Sequence, residues 1–288
     1  AALFVAFLAT LDPGDAAVIV DPYYATYPLT VRGASGVVRT VPARPETGFQ
    51  IDLDALAAAA PGARALLINS PNNPTGAVYT RETLEGVAEI VRAHDLWLVS
   101  DEVYDGQVHE DGHLSPRALP GMAERTLLIG SMSKSYVMTG WRLGWLHAPA
   151  PVAEEVALLC TATTYGVPGF IQDAAELALT ECAEIEAEVS ATYDRRRAVA
   201  LAALRGANGV AVRPPAGGMY VMLDIRATGL SGKAFARRLL EEEGIAVLPG
   251  EGFGRSAAGH LRVALTVEDA TLADSLARLA ALAGRLAG

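Results

Sequence analysis

The 288 residues carry 23 Lys and Arg against 33 Asp and Glu, a formal net charge of −10, which leaves no basic footprint for nucleic acid and no cationic face for a membrane surface. About half of the chain is hydrophobic (51%) and only 19% is charged, enough apolar content to bury a sizeable core, and the length suggests about two domains. No apolar run reaches the ~18 residues of a spanning helix, and two cysteines, Cys160 and Cys182, make no disulfide framework; both read as small buried residues of a cytosolic protein.

The chain opens on Ala1-Ala-Leu-Phe-Val-Ala-Phe-Leu8, without initiator Met, charged leader or helix cap. The expectation is a helix entered part-way, with sequence missing upstream. That pattern stops at Asp12-Pro-Gly-Asp15, a turn signal. Ala17-Val-Ile-Val20 is a short continuous apolar run, typical of a strand covered on both faces; it ends in Asp21-Pro-Tyr-Tyr24. A strand over 37–42 and a helix over 52–60, with Asp52 near its cap, come next. Ala65-Leu-Leu-Ile68 is a further buried strand and runs into Ser70-Pro-Asn-Asn73-Pro-Thr-Gly76. Thr80 then caps a helix over 81–94, with Thr83 rather than Glu at its third position, an incomplete capping box. Trp97-Leu-Val99 precedes Ser100-Asp101-Glu-Val-Tyr104, and Leu127-Leu-Ile129 precedes Lys134. Strands alternating with helices or long connections predict a mostly parallel sheet sandwiched by helices. Leu143-Gly-Trp-Leu-His147 follows too closely for a helical crossover and is predicted to return antiparallel.

Beyond Pro149 helices are predicted over 152–160, 171–182 and 184–205, the last with Ile185, Val189, Tyr193, Ala200 and Leu204 on one stripe. Short strands at 209–213, 219–224, 246–248 and 260–265, a helix at 231–243 and a closing helix from about 268 complete a smaller α+β unit. The boundaries that follow are a large domain over 1–180, and a long linking helix with the small C-terminal domain over 181–288.

Four predicted strand ends carry unusual polar residues: Tyr24, Asn73, Asp101 with Tyr104, and Lys134. In open parallel sheets ligands bind at the carboxyl ends of the strands. Lys134 stands between Ser133 and Ser135 at the mouth of a buried strand, where its ammonium reaches water or is neutralised by chemistry such as Schiff-base formation. Two other patterns fail on context. His109-Glu-Asp-Gly-His113 matches a zinc motif that needs helix, whereas Asp-Gly marks a turn. Gly250-Glu-Gly-Phe-Gly254 hints at a nucleotide loop, but Arg255 takes the sixth position and no long helix follows.

The run of Asp21-Pro-Tyr-Tyr24, Ser70 to Gly76, Ser100 to Tyr104, Ser131-Met-Ser-Lys-Ser135, Thr139-Gly-Trp-Arg-Leu-Gly144, Gly217-Gly-Met-Tyr220 and Leu261-Arg-Val-Ala264 resembles, in order and spacing along nearly the whole chain, the class I/II aminotransferases that use pyridoxal 5′-phosphate (PLP). The resemblance implies fold type I and a homodimer. It implies that Lys134 forms the Schiff base with the cofactor and then serves as general acid and base, that Asp101 faces the pyridine nitrogen, and that Asn73 and Tyr104 bond the ring oxygen. It further implies that Tyr24 stacks on the ring, that Ser131, Ser133 and Arg142 hold the phosphate, and that Arg262, with Asn73, grips the substrate carboxylate. Taken alone, Asn73 is also a turn former before Pro74, Arg262 a surface strand residue and Tyr104 a core residue.

The family's N-terminal arm and its glycine-rich phosphate turn have no counterpart here, nor has the tyrosine lent by a neighbouring subunit. Residues 161–168 contain no arginine for a second substrate carboxylate, which disfavours a dicarboxylate. The expected activity is amino-group transfer between an amino acid and a 2-oxo acid in the cytoplasm, with neither nucleic acid nor membrane as partner. The alternatives are another reaction of the same cofactor, namely β/γ-elimination, cyclisation or oxidation, and a PLP-binding regulatory domain.

Overall fold

The computed structural model describes residues 1–109 and 112–288. Helix α1 (Ala2–Thr10) is followed by β1 (Ala16–Asp21), α2 (Tyr27–Gly33), β2 (Val37–Pro42), α3 (Leu53–Ala59), β3 (Ala63–Asn69), α4 (Arg81–Ala93), β4 (Trp97–Asp101) and β5 (Thr126–Ser131). Next come a single helical turn, α5 (Met132–Ser135), and β6 (Gly144–His147). Among the described residues these strands form a six-stranded sheet in the order β2-β1-β3-β4-β5-β6. All neighbours in it run parallel except β6, which pairs antiparallel with β5 as its short connection requires.

Alternation along the strands builds a core on each face. Val18, Val20, Leu66, Ile68 and Leu98 point to one side, where Leu56 of α3 and Leu84, Val87 and Val91 of α4 cover them. Ala17, Ile19, Leu67, Val99, Leu127 and Ile129 point to the other, under Phe7 of α1 and Val31 of α2. Every residue of β1 is buried, which explains its unbroken apolar run, since a parallel strand with helices on both sides has no solvent face. Each fully buried aliphatic side chain contributes about 1.5–3 kcal/mol of transfer free energy.

The incomplete capping box of α4 is completed from outside. Thr80 Oγ1 accepts the Thr83 N–H at 3.2 Å, as an N-cap should. Gln50, thirty residues upstream, supplies what Thr83 cannot: its Oε1 accepts the Thr80 N–H at 3.1 Å and the Thr83 hydroxyl at 2.8 Å.

Helices α6 (Ala150–Thr163), α7 (Gly169–Glu181) and α8 (Ala183–Ala203) lead to β7 (Ala211–Val212), β8 (Tyr220–Asp224), α9 (Gly232–Glu243), β9 (Leu248–Pro249), β10 (His260–Ala264) and α10 (Asp269–Ala287). The second sheet is antiparallel in the order β7-β8-β10-β9. Its outer strands are shorter than 209–213 and 246–248 suggested, because each edge pairs over only two residues. Leu272, Leu276, Leu279 and Leu282 of α10 cover it together with Ala200 and Leu204. The stripe expected on α8 is buried only toward that end; Ile185 at its start is exposed. Cys160 and Cys182 are free and half-buried, not core residues. Among the described residues no helix is long and apolar enough to cross a membrane.

Candidate active site

Parallel register puts several polar side chains level at one end of the sheet. Asn69 lies opposite Asp101 in the β3–β4 pair, and Asp101 opposite Ile129 in the β4–β5 pair. Asp101 is 5% exposed. Its Oδ2 accepts the Tyr27 hydroxyl at 2.7 Å and its Oδ1 the Val103 N–H at 3.3 Å. Burial pushes the carboxyl up to about 6, against the pull of both hydrogen bonds. Among the described residues no Lys, Arg or His forms an ion pair with it. Tyr27 is itself buried, and desolvation and then the Asp101 charge raise its phenol well above the ordinary value, so it remains a neutral donor.

Asn69 ties the next loop to the same strand end. Its Nδ2 donates to the Asp101 carbonyl at 2.9 Å, while its Oδ1 accepts the Asn73 N–H at 2.8 Å. Asn73 is thereby held over the end of β3, with its Nδ2 donating to the Tyr104 hydroxyl at 3.3 Å and its Oδ1 accepting from Arg262 Nη1 at 2.8 Å. The turn-former reading of Asn73, the surface reading of Arg262 and the core reading of Tyr104 therefore each miss a side-chain contact. Tyr104 is buried, and burial, ahead of the nearby Tyr220, pushes its phenol far up. The two phenol oxygens lie 3.4 Å apart.

Arg262 comes from β10, so the second sheet supplies it. Its guanidinium carbon lies 4.2 Å from the Tyr220 ring centre and 4.8 Å from that of Phe253, contacts that fix the plane of the fork. Among the described residues its buried Nε has no hydrogen-bond partner, an orphaned donor on a fork that can bind one carboxylate through two N–H groups.

Lys134 sits in the single turn after β5, where Ser131 is the N-cap: its Oγ accepts the Ser133 N–H at 3.1 Å and donates to the Leu143 carbonyl at 3.3 Å. The Lys134 Nζ lies 5.9 Å from the Tyr104 ring centre, and no carboxylate among the described residues pairs with it. Ser131 pairs with Gly144 across β5–β6, which sets Arg142, two residues earlier, beside the turn that carries Ser133. Arg142 is exposed and donates to the Thr139 carbonyl at 2.6 Å. Tyr24 is also exposed, its ring edge-on to Tyr27 at 5.7 Å.

The donor set fits PLP. A buried carboxyl without a cation suits a protonated ring nitrogen, an unpaired lysine amine suits the aldehyde, and the Asn73–Tyr104 pair suits the ring oxygen. Ser131, Ser133 and Arg142, gathered at one turn, can hold a phosphate. Sequence reasoning passed over Tyr27, Asn69 and Phe253. Of these only Asn69 had a visible signal, a polar residue closing a buried strand.

The other motifs resolve differently. His109 Nε2 contacts the Gly218 carbonyl at 3.1 Å and His113 Nε2 the Glu102 carboxylate at 2.8 Å, so the two rings engage separate partners; Glu110 and Asp111 between them lie outside the described residues. The glycine-rich stretch at 250–254 leads into a short 3₁₀ turn. A cleft of about 740 Å³, lined by Phe49, Gln50, Tyr79, Arg213 and Pro215, takes no wall from Lys134, Asp101 or Arg262.

A model of the family described as aminotransferase class I and II matches residues 1–279. The arginine–pyruvate transaminase of Pseudomonas aeruginosa is 44% identical over all of this chain and 73% of its own length. The aspartate/prephenate aminotransferase of Thermus thermophilus is 40% identical over 99% of this chain and 73% of its own. Among solved structures, an aromatic aminotransferase from Pyrococcus horikoshii superposes with a TM-score of 0.94 at 35% identity, covering 98% of this chain and 76% of that one. With PLP as the cofactor its donor set fits, this chain belongs to the class I and II aminotransferases.

Proposed function

We propose that this PLP-dependent aminotransferase moves an amino group between a monocarboxylic 2-amino acid and a 2-oxo acid, with Lys134 and Asp101 at the centre of the chemistry. The observation that carries the substrate side is Arg262: a guanidinium packed on two rings, bonded to Asn73, with a buried Nε that lacks a partner among the described residues. A substrate α-carboxylate satisfies that donor and pairs with the fork.

When bound, PLP supplies the aldehyde that takes the amine and the ring that accepts electrons released at Cα. Lys134 would hold the cofactor through its Nζ, and once the substrate amine has released it that Nζ would take the Cα proton and deliver it to the carbon that carried the aldehyde oxygen, as amino transfer requires. Asp101, as carboxylate, keeps a proton on the ring nitrogen, and Tyr27 holds Asp101 in place. Asn73 and Tyr104 would donate to the ring oxygen, and Tyr24 would supply an aromatic face for the ring. Ser131, Ser133 and Arg142 bind the phosphate, and Arg262 with Asn73 orients the carboxylate so that the Cα proton faces Lys134.

Residues 161–168 carry no arginine, which disfavours a second carboxylate; with the arginine–pyruvate transaminase among the relatives, arginine and pyruvate are the first pair to test. We also assign the enzyme to the cytoplasm, in keeping with its two free thiols, and to a homodimer. Leu158, Tyr165 and Phe170, at the surface of α6, α7 and their connection, are 66%, 91% and 70% exposed, apolar area of the kind that subunit contacts cover. Mass spectrometry of products from an amino-acid panel, with and without 2-oxo acids, tests the reaction. Keto product formed only when an oxo acid is present supports transfer; keto product without one excludes it.

A further inference from the structure

Asp21, the last residue of β1, is 5% exposed and takes no part in the site described above. Its Oδ2 accepts the Arg255 N–H at 2.9 Å and its Oδ1 the Ser256 N–H at 3.1 Å. Two residues on, the Tyr23 N–H donates to the Phe253 carbonyl at 2.9 Å. The first sheet therefore holds residues 253–256, which lie between β9 and β10 of the second, by three hydrogen bonds.

Gly254 makes this approach possible. Its φ is +116°, and a Cβ built on it would lie 2.1 Å from Asp21 Oδ1, so any side chain there would fill the carboxylate's place. A buried carboxylate is costly unless its oxygens are bonded; here two main-chain N–H groups bond them. The segment so held carries Phe253, whose buried ring packs against the Arg262 guanidinium.

We propose that Asp21 is a positioning residue: by clamping residues 253–256 to the end of β1, it seats Phe253 against Arg262 and so sets the affinity for the substrate carboxylate. This rests on the reading of Arg262 as the carboxylate-binding residue. A planar fork rewards a carboxylate only when its plane is held. Two rings hold it, and one of them belongs to the clamped segment. Asp21 makes no contact with Lys134 or Asp101, so its loss falls on substrate binding and not on cofactor attachment.

The test uses the holoenzyme, with an amino acid and an amine lacking the carboxylate as alternative donors. Asp21→Asn keeps the shape but can accept only one of the two N–H groups. Gly254→Ala displaces the carboxylate without removing its charge. Each is expected to raise KM for the amino acid roughly ten-fold with kcat within about two-fold, to leave the amine's kcat/KM within about two-fold, and to leave the bound-PLP absorbance unchanged. Phe253→Leu should give the same KM rise and add little when combined with Asp21→Asn. If Arg262→Lys separates the two donors while Asp21→Asn changes neither, or slows both alike, the clamp does not position the arginine and the proposal is overturned. If Arg262→Lys fails to separate them, the carboxylate reading falls first and takes the proposal with it.

Discussion

Tyr27 and Asp101 meet at 2.7 Å, the phenol of the helix after β1 donating to the buried carboxyl that ends β4. The bond has two effects in opposition. It lowers the Asp101 pKa by favouring the charged form, and it seals the carboxyl from water, where desolvation raises it. Desolvation wins, at about 6. A carboxyl so placed becomes a stable anion at neutral pH once a positive ring nitrogen lies beside it.

The stability of the enzyme freed of PLP should therefore depend on pH through Asp101. Its folded-state value of about 6 stands above the ordinary 3.8, so the contribution is fully present below 3.8 and is lost as pH rises through 6. The shift corresponds to a loss of about 3 kcal/mol across that window. Thermal denaturation between pH 4 and 7 should show this slope, and Asp101→Asn should remove it. Tyr27→Phe should carry the slope to higher pH, and loading with PLP should flatten it. A cofactor-free enzyme with the same profile as Asp101→Asn would contradict the assignment.

Lys134→Ala should abolish turnover and the borohydride-reducible attachment of PLP, since an amine is needed both to hold the aldehyde and to move the Cα proton. Peptide mapping of the reduced wild-type enzyme should place the modification at Lys134. A label on Lys233, the other lysine of the chain, would end this reading.

Arg262→Lys should lower kcat/KM for amino acids by roughly 100-fold, because a point charge replaces a two-pronged, charge-assisted contact. Steady-state kinetics should show much of this as a higher KM. Amines without a carboxylate should change little.

Gln50→Ala should destabilise the fold without touching the chemistry. It removes the acceptor for the Thr80 N–H and the Thr83 hydroxyl, and the donor to the Val78 carbonyl at 2.9 Å. A cost of about 1–2 kcal/mol is expected, read as a fall in melting temperature with KM unchanged.

Strands were legible where burial is complete on both faces, as in β1 and residues 65–69 of β3, because a continuous apolar run leaves neither face fit to meet water. The Asp101 and Lys134 positions were legible because they close such runs with charge. Tyr27 was not, because a tyrosine in a short helix advertises nothing about a carboxyl 74 residues away. Gln50 was invisible for a similar reason: a cap is read from its own few residues, and here the completing side chain arrives from another loop. The clamp at Asp21 has the same character. Its aspartate and glycine each look like turn residues, and only the packing of two sheets brings them together.

The polarity of the Asn73 contacts has a directional consequence. An arginine can only donate, so the amide atom facing Arg262 must be oxygen, and the one facing Tyr104 must then be the NH₂. With its oxygen already accepting, Tyr104 is left with a hydroxyl proton to point onward, toward the Tyr220 oxygen 3.4 Å away or a ligand oxygen in its place. The side chains thus form a one-way relay, guanidinium to amide to phenol, whose outgoing end is a proton offered to whatever oxygen lies beyond. Replacing Asn73 by Asp would keep the shape of the side chain and turn that arrow around. A carboxylate would accept from Arg262 and from Tyr104 together, and the outgoing proton would be consumed inside the protein.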